Sequence, residues 1–215
     1  MQSEILAPPE LQEKWAAEWQ NLAQTCRDQV KAWTEEKMHK QWANRPLEWF
    51  GWIDVLITSV HWTNFFELRI SDYAQPEFDT LARAIYGEME RSTPKLLQPG
   101  EWHLPYITDQ EADGRWGVPA LLKLSTARSA RLSYEPFKEG KFNINDEMDR
   151  HDALVVNRPV HASPAEHQCT PDHFISARIG GTGMWNRPDL HGNLTGWCQY
   201  RKTLEHEAIM EAYPG

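Results

Sequence analysis

The chain of 215 residues is 40% hydrophobic and carries a formal net charge of −9 at pH 7. This length suits one compact domain or one subunit of an oligomer, and we predict a single domain over residues 1–215. The acidic balance disfavours a nucleic-acid polymer as partner, because such binding neutralises many phosphates with basic residues. Neither a long apolar run nor a signal-peptide pattern is present, so we expect a cytoplasmic protein without a membrane partner.

The cysteines and tryptophans further limit the class of protein that this sequence can encode. Cys26, Cys169 and Cys198 lack CxxC spacing, which predicts reduced thiols rather than a disulfide framework or a zinc ribbon. Eleven tryptophans supply aromatic area that can serve a core, a subunit interface or a stacking platform.

The first forty-five residues predict a long helix followed by a basic turn. Pro8-Pro9-Glu10 opens the helix. His39, Lys40 and Arg45 could approach a phosphate, or they could form a solvated basic turn. The helix has one apolar face at three- and four-residue steps, a packing stripe made of Leu11, Trp15, Trp19, Leu22, Cys26, Val30 and Trp33.

The stretch from Asn64 to Glu77 places an arginine and two amides among apolar residues. Its first part predicts the end of a helix and Gln75-Pro76-Glu77 the start of the next, so Arg69 lies at the corner between them. A guanidinium buried there needs an anion or acceptor. Two interpretations stay open, a bidentate clamp on an anionic or carbonyl-bearing ligand and a structural ion pair with Asp72 or Glu77.

The rest of the chain alternates helices and loops. The pattern predicts a helix over 77–89, a loop-rich join over 94–117 and a helix over 145–157. The run from Val118 resembles a strand that leads into a short helix bearing Arg128 and Arg131 on one face. Residues 49–66 fit either a strand or a helix, and residues 180–183 make only a weak phosphate cradle.

The histidines of the second half raise a metal or hydrolase interpretation. His161, Glu166, His167 and His173 lack the pair of histidines four residues apart on a helix that zinc proteases use, so we predict no metal site. A Cys–His hydrolase built from Cys169 and His167 is equally weak, because residues two apart need not point together. These histidines can instead belong to local turns.

Four motifs together resemble one family. The N-F-x-x-L-R-x-x-x-x-A-Q-x-E stretch beginning at Asn64 is similar to the segment of flavin-dependent thymidylate synthases that lines the flavin and deoxyuridylate site. The R-x-x-R-x-S motif over 128–133, the H-x-S-P-x-E-H motif over 161–167 and the pair Tyr200-Arg201 resemble the N-terminal part of that family. The two halves therefore stand in swapped order, as in phage-type members. A circular permutation of this kind preserves a fold whose termini lie close together.

The resemblance implies an α+β fold, a single circularly permuted domain with helices packed on a mostly antiparallel sheet. Residues 1–115 match the C-terminal half of the family and residues 116–215 its N-terminal half. The implied cofactor is FAD. Its expected contacts are Ser133, Ser163, Glu166, Asn64 and Arg201.

The resemblance also implies the substrate contacts and the catalytic residues. Arg69 would meet the pyrimidine of dUMP, Arg45 its phosphate, and Gln199 is a further substrate contact because the alignment around Tyr200-Arg201 is ambiguous by one residue. Arg69, Arg201 and His161 near the flavin ring are the expected catalytic residues. The family's arginine-histidine-arginine signature is reduced here to Arg201-Lys202-Thr203, and Thr58 stands where the family has an upstream polar partner.

The implied reaction is methylation of dUMP at C5, with NADPH and methylenetetrahydrofolate as co-substrates. Hydroxymethylation or another pyrimidine nucleotide is left open. Two alternatives are a catalytically silent protein that binds FAD or a nucleotide, and, more remotely, a metal-dependent hydrolase. The family also implies a homotetramer in the cytoplasm of a bacterium or a phage-infected host, with a pyrimidine deoxynucleotide and a folate as small-molecule partners.

Overall fold

The computed structural model describes residues 7–114, 116–132, 143–175, 183–205 and 207. The chain divides into two compact units. The first comprises Met1–Ile53 and Phe65–Glu88, and the second comprises Asp54–Asn64 and Met89–Gly215. The single domain over 1–215 stays a prediction.

The first unit begins with the predicted long helix, α1, over Pro9–Glu35. Pro8 precedes it and Pro9 occupies its first turn, where the missing N–H costs nothing. A short helix α2 (Lys40–Ala43) and a 3-10 helix (Arg45–Phe50) follow. Within this unit Val30 of the apolar stripe is buried, and the ring of Trp19 lies 4.9 Å from that of Phe50. The N-terminal part of the stripe nevertheless keeps much of its surface exposed, namely Leu11, Trp15, Trp19 and Leu22.

The two helices predicted around the central motif are confirmed. Helix α3 covers Thr63–Arg69 and α4 covers Pro76–Arg91. Pro76 opens α4, and acidic residues in its first turn favour the positive end of the helix dipole. Of residues 49–66, for which helix and strand were both open, residues 51–62 form neither, and residues 63–66 belong to α3.

In the second unit the helices are α5 (Asp109–Ala112), α6 (Val118–Arg131) and α7 (Ile144–Val155). Helix α7 is confirmed, but the strand predicted at the start of α6 is wrong. Gly117 and the early Pro119 mark a helix start, and the leucines behind them are buried on several sides of one helix. Such a continuous apolar run has no period that separates a buried helix from a buried strand.

A buried ion-pair network joins α6 to α7. Glu147 accepts hydrogen bonds from Arg128 Nε at 2.8 Å and from Arg131 Nη2 at 2.6 Å. Arg128 also binds both carboxylate oxygens of Glu111 at 2.7 Å. Both arginines therefore lie on one face of α6, as predicted, and their charges are neutralised by two acids brought from other elements.

The strands form two small antiparallel sheets. Strand β1 (Cys169–Pro171) pairs with β4 (Trp197–Gln199), and β2 (Phe174–Ile175) pairs with β3 (Met184–Trp185). Helices combined with small antiparallel sheets confirm the mixed α+β class. In the described ranges, no helix is long and apolar enough to cross a bilayer.

Candidate functional site

The described residues of the expected flavin site all belong to the second unit. They are Asn64, Ser163, Glu166 and Arg201. Ser133, the remaining expected contact, lies outside the described residues. Arg45 and Arg69, the arginines expected to contact the substrate, belong to the first unit.

Ser163 and Glu166 share one 3-10 turn, Ser163–Glu166, that follows α7. Pro164 fixes the first turn of this helix, and the fully buried Ala165 anchors it. The backbone N–H of His161 donates to Leu154 O at 2.7 Å, which ties the entry of the turn to α7. Ser163 and His161 are exposed and Glu166 is half-buried, so all three side chains are open to a ligand.

Arg201, from the Tyr200-Arg201 motif, contacts the Ser163–Glu166 turn. It lies in a 3-10 helix (Tyr200–Thr203) directly after β4. Its Nη1 donates to Glu166 Oε2 at 3.1 Å and its Nε to Glu207 Oε2 at 2.9 Å. Lys202 Nζ donates to the other oxygen of Glu207 at 2.6 Å. These bonds, first that of Lys202 and then that of Arg201, lower the pKa of Glu207.

A second contact reaches the same turn from residues 54–64. Thr58 Oγ1 lies 3.1 Å from His167 Nδ1, one residue after Glu166. Asn64 is exposed six residues further along that segment. The segment that carries Asn64 is therefore attached beside the Ser163–Glu166 turn, although the structure gives no direct contact between Asn64 and that turn.

Gln199 is buried, with 2% of its surface exposed. Its Nε2 donates to Asn193 Oδ1 at 2.6 Å. Gly192, at φ +54°, leaves room for this amide, because a Cβ there would lie 2.3 Å from Gln199 Oε1. As a substrate contact Gln199 would have to exchange the Asn193 bond for the ligand.

The two arginines expected to contact the substrate are exposed in the first unit. Arg69 is the last residue of α3, at the predicted corner, but the expectation that it is buried is wrong. Its guanidinium lies 5.7 Å from the ring centroid of Phe78. Within the described part of the chain it makes no ion pair with Asp72 or Glu77. Arg45 lies 4.7 Å from the ring centroid of Trp42.

Tyr200, the neighbour of Arg201, is held by a hydrogen-bonded chain. Its hydroxyl lies 3.1 Å from His151 Nε2, and His151 Nδ1 lies 2.8 Å from Asp152 Oδ1. Lys123 binds the same Asp152 oxygen at 2.7 Å. An imidazole that donates through Nδ1 to a carboxylate accepts through Nε2, so the tyrosine O–H donates to it. Helices α6 and α7 thereby fix the position of the Tyr200-Arg201 pair.

One cluster contains metal-ligand side chains. Ligand atoms of the buried Asp172, His191 and Cys198 lie within 4.8 Å of one another. His191 Nδ1 accepts the Gly196 N–H at 3.1 Å, and its Nε2 lies 2.9 Å from Asp172 Oδ2. Both ring nitrogens are therefore engaged, and a metal needs a free lone pair on one of them. We interpret the cluster as a structural hydrogen-bond network.

Two contacts of this site join residues that the motifs do not connect. Glu207 pairs with Arg201, and Thr58 contacts His167. The spacing of six residues between Arg201 and Glu207 places no two side chains together by a helix or strand period, so only the fold reveals their contact.

Comparison of the chain with protein-family profiles, with curated proteins and with solved structures finds no match.

Proposed function

We propose that the protein is a flavin-dependent enzyme that methylates dUMP, or a closely related pyrimidine nucleotide, at C5. The observation that carries the proposal is the 3.1 Å contact between Arg201 and Glu166. These residues come from two motifs that the resemblance assigns independently to the flavin site. Their direct contact is the arrangement that a shared ligand would require.

The side chains at this contact suit FAD. Ser163 and Asn64 are exposed hydrogen-bonding groups, and Arg201 is one-third exposed while held on two sides by carboxylates. A fixed guanidinium beside neutral donors can bind the carbonyls of a flavin ring or its phosphates. When bound, FAD would supply the hydride chemistry, recharged by NADPH, with methylenetetrahydrofolate as the carbon donor.

Arg69 has the simplest role in the proposed chemistry. Its exposed planar guanidinium, at the end of α3, can donate two hydrogen bonds to the carbonyl side of the pyrimidine. It would stabilise the negative charge that develops there, and a preorganised donor of this kind lowers the barrier more than it improves binding. Arg45 would hold the phosphate, and His161 would lie against the flavin ring.

The proposed fold and assembly follow the same resemblance: one circularly permuted domain, a homotetramer and a cytoplasmic location. The exposed N-terminal part of the α1 stripe supports an oligomer. Its four large apolar residues are 39–53% exposed, and an aromatic-rich surface of this kind is typical of the buried centre of an interface. Light scattering should give the mass of four chains.

A second function, flavin or nucleotide binding without catalysis, is favoured by one observation. Arg201 and Lys202 both bind Glu207, so the cations that remain of the family signature are neutralised internally. Release of tritium from C5-labelled dUMP separates the two functions. The enzyme should release it in the presence of NADPH and methylenetetrahydrofolate, whereas flavin binding without any release would leave the silent protein as the better account.

A further inference from the structure

The segment just before α3 has the burial pattern of a strand. Gly51 enters it with extended backbone, at φ −96° and ψ 159°. From residue 55 to residue 60, exposed and half-buried positions alternate, which is the two-residue period of a strand that lies on a surface. On the half-buried side, Thr58 Oγ1 lies 3.1 Å from His167 Nδ1. The segment therefore lies on the second unit, to which it belongs, as an edge strand would.

The backbone of this segment has no strand partner. Within the described ranges, the N–H and C=O groups of residues 52–58 form no hydrogen bond. The next bonds along the chain are local, because Ser59 accepts from the N–H of His61 and from Nε1 of Trp62, both at 3.1 Å. A row of open backbone donors and acceptors is a template for one more strand. The run contains neither proline nor lysine, the residues that commonly block such pairing.

The outward side of the segment is apolar. Val55 is 65% exposed and Ile57 is 56% exposed, and before them Trp52 is fully exposed and Ile53 is 66% exposed. Side chains of these types bury about 60–250 Å² each, so together they offer roughly 400 Å² of apolar surface. One partner of a standard interface contributes about 800 Å². The surface therefore suits a reversible association rather than an obligate one.

We propose that residues 54–58 pair with the same residues of a second copy of the chain, as antiparallel strands about a two-fold axis at Leu56. In this register Val55 of each copy lies opposite Ile57 of the other, so one pairing covers both outward side chains twice. Asp54 lies opposite Thr58, which keeps the two carboxylates at opposite ends of the ladder.

Other two-fold registers of the same segment are worse. An axis at Asp54 would bring two carboxylates together, and like charges directly opposite one another are destabilising. An axis at Val55 would place each carboxylate opposite the apolar Leu56 of the other copy. The segment is thus self-complementary about Leu56, which identifies a second copy as its partner.

This surface differs from the α1 stripe, which lies in the first unit. A tetramer built from two-fold axes needs two kinds of isologous interface, and residues 54–58 supply one in addition to the stripe. The pairing itself needs neither flavin nor substrate, so the inference goes beyond the proposed function.

Sedimentation of the full chain from about 1 to about 100 μM covers the affinity expected of an interface of this size. Val55→Glu sets a carboxylate against Ile57 of the other copy and should weaken the association about tenfold or more. Val156→Glu is the matched control, the same substitution at a valine of the second unit that is 63% exposed. It should leave the association unchanged, and an equal effect of the two substitutions would overturn the proposal.

A second substitution tests the register. Ile57→Lys alone should weaken the association as Val55→Glu does. The double variant Val55→Glu, Ile57→Lys should recover it, because the new carboxylate of each copy then lies opposite the new ammonium of the other. A double variant that dissociates as readily as the single variants would overturn the pairing about Leu56.

Amide hydrogen exchange shows whether the backbone takes part. Protection of residues 54–58 should rise with protein concentration and disappear in Val55→Glu. Protection of these amides in a monomer would mean that the segment pairs within its own chain, and a protein that stays monomeric throughout would exclude the second copy. Either result would overturn the proposal.

Absorbance of the same preparations separates this inference from the proposed function. A protein that binds no flavin but associates through residues 54–58 refutes the function alone. A flavin-loaded protein whose mass Val55→Glu leaves unchanged refutes the inference alone.

Discussion

Arg201 Nη1 lies 3.1 Å from Glu166 Oε2, and both side chains are 33% exposed. The two residues are 35 positions apart and belong to different motifs. An ion pair this open to water contributes at most about 1 kcal/mol to stability. Its effect on ligand binding can therefore be measured without unfolding the protein.

Glu166→Gln tests that contact. The amide keeps the shape of the side chain but removes the charge that holds Arg201, so flavin affinity should fall about tenfold or more while the melting temperature changes little. Asp113→Asn, an exposed acid of the same unit, is the matched control. Fluorescence quenching of added FAD measures the affinity, and full affinity in Glu166→Gln would remove Glu166 from the flavin site.

Arg69→Ala separates catalysis from binding. Because Arg69 is exposed, its loss should leave the melting temperature and flavin occupancy intact. The C5 chemistry should slow by a factor corresponding to about 3–4 kcal/mol, the cost of one preorganised transition-state donor. Arg69→Lys should recover only part of the rate, since an ammonium cannot reproduce a planar two-pronged contact. Normal turnover in a folded, flavin-loaded Arg69→Ala protein would end the catalytic assignment.

Glu147→Ala should destabilise the second unit strongly. The carboxylate is 2% exposed and serves two buried guanidinium groups, and removing one partner of a buried ion pair costs about 3–5 kcal/mol. Asp149→Ala, an exposed position on the same helix, should cost well under half of that. Urea unfolding of both variants gives the comparison. Equal stability of the two proteins would contradict the buried network.

Acid should weaken the same network through Glu111. Its hydrogen bonds from Arg128 lower the pKa of Glu111 from 4.5 to about 2. A carboxyl whose pKa is depressed in the folded state adds stability above its unfolded pKa and loses it as the pH falls toward its folded pKa. The urea midpoint should therefore decline from about pH 4.5 to about pH 2. Glu111→Gln should be less stable at neutral pH and should decline less, and parallel curves would show that Glu111 does not carry the effect.

Local sequence signals predicted the helices well, but they could not predict the long-range contacts. Pro9 and Pro76 mark helix starts at the positions where α1 and α4 begin. The leucine run of α6 has no period because several of its sides are buried, so its helix could not be told from a strand. Arg69 was expected to be buried from its apolar neighbours in sequence, but residues adjacent along a helix point in different directions.

The motifs of the site could be predicted from the sequence, but the contacts that support them could not. Glu166 and Arg201 were both singled out from sequence, and the fold brings them together. The second partner of Arg201, Glu207, was not singled out, because it lies in a segment with no distinguishing period or motif. A contact formed only by the tertiary fold, as between Thr58 and His167, cannot be predicted from a local period in the sequence.

The absorbance spectrum of the purified protein tests the central claim most directly. If the Glu166–Arg201 contact belongs to a flavin site, the protein should be yellow as purified or become so on titration with FAD, with quenching of the flavin fluorescence. Glu166→Gln should show the same bands at lower occupancy. A folded protein that stays colourless and leaves FAD fluorescence unquenched would contradict the flavoenzyme account.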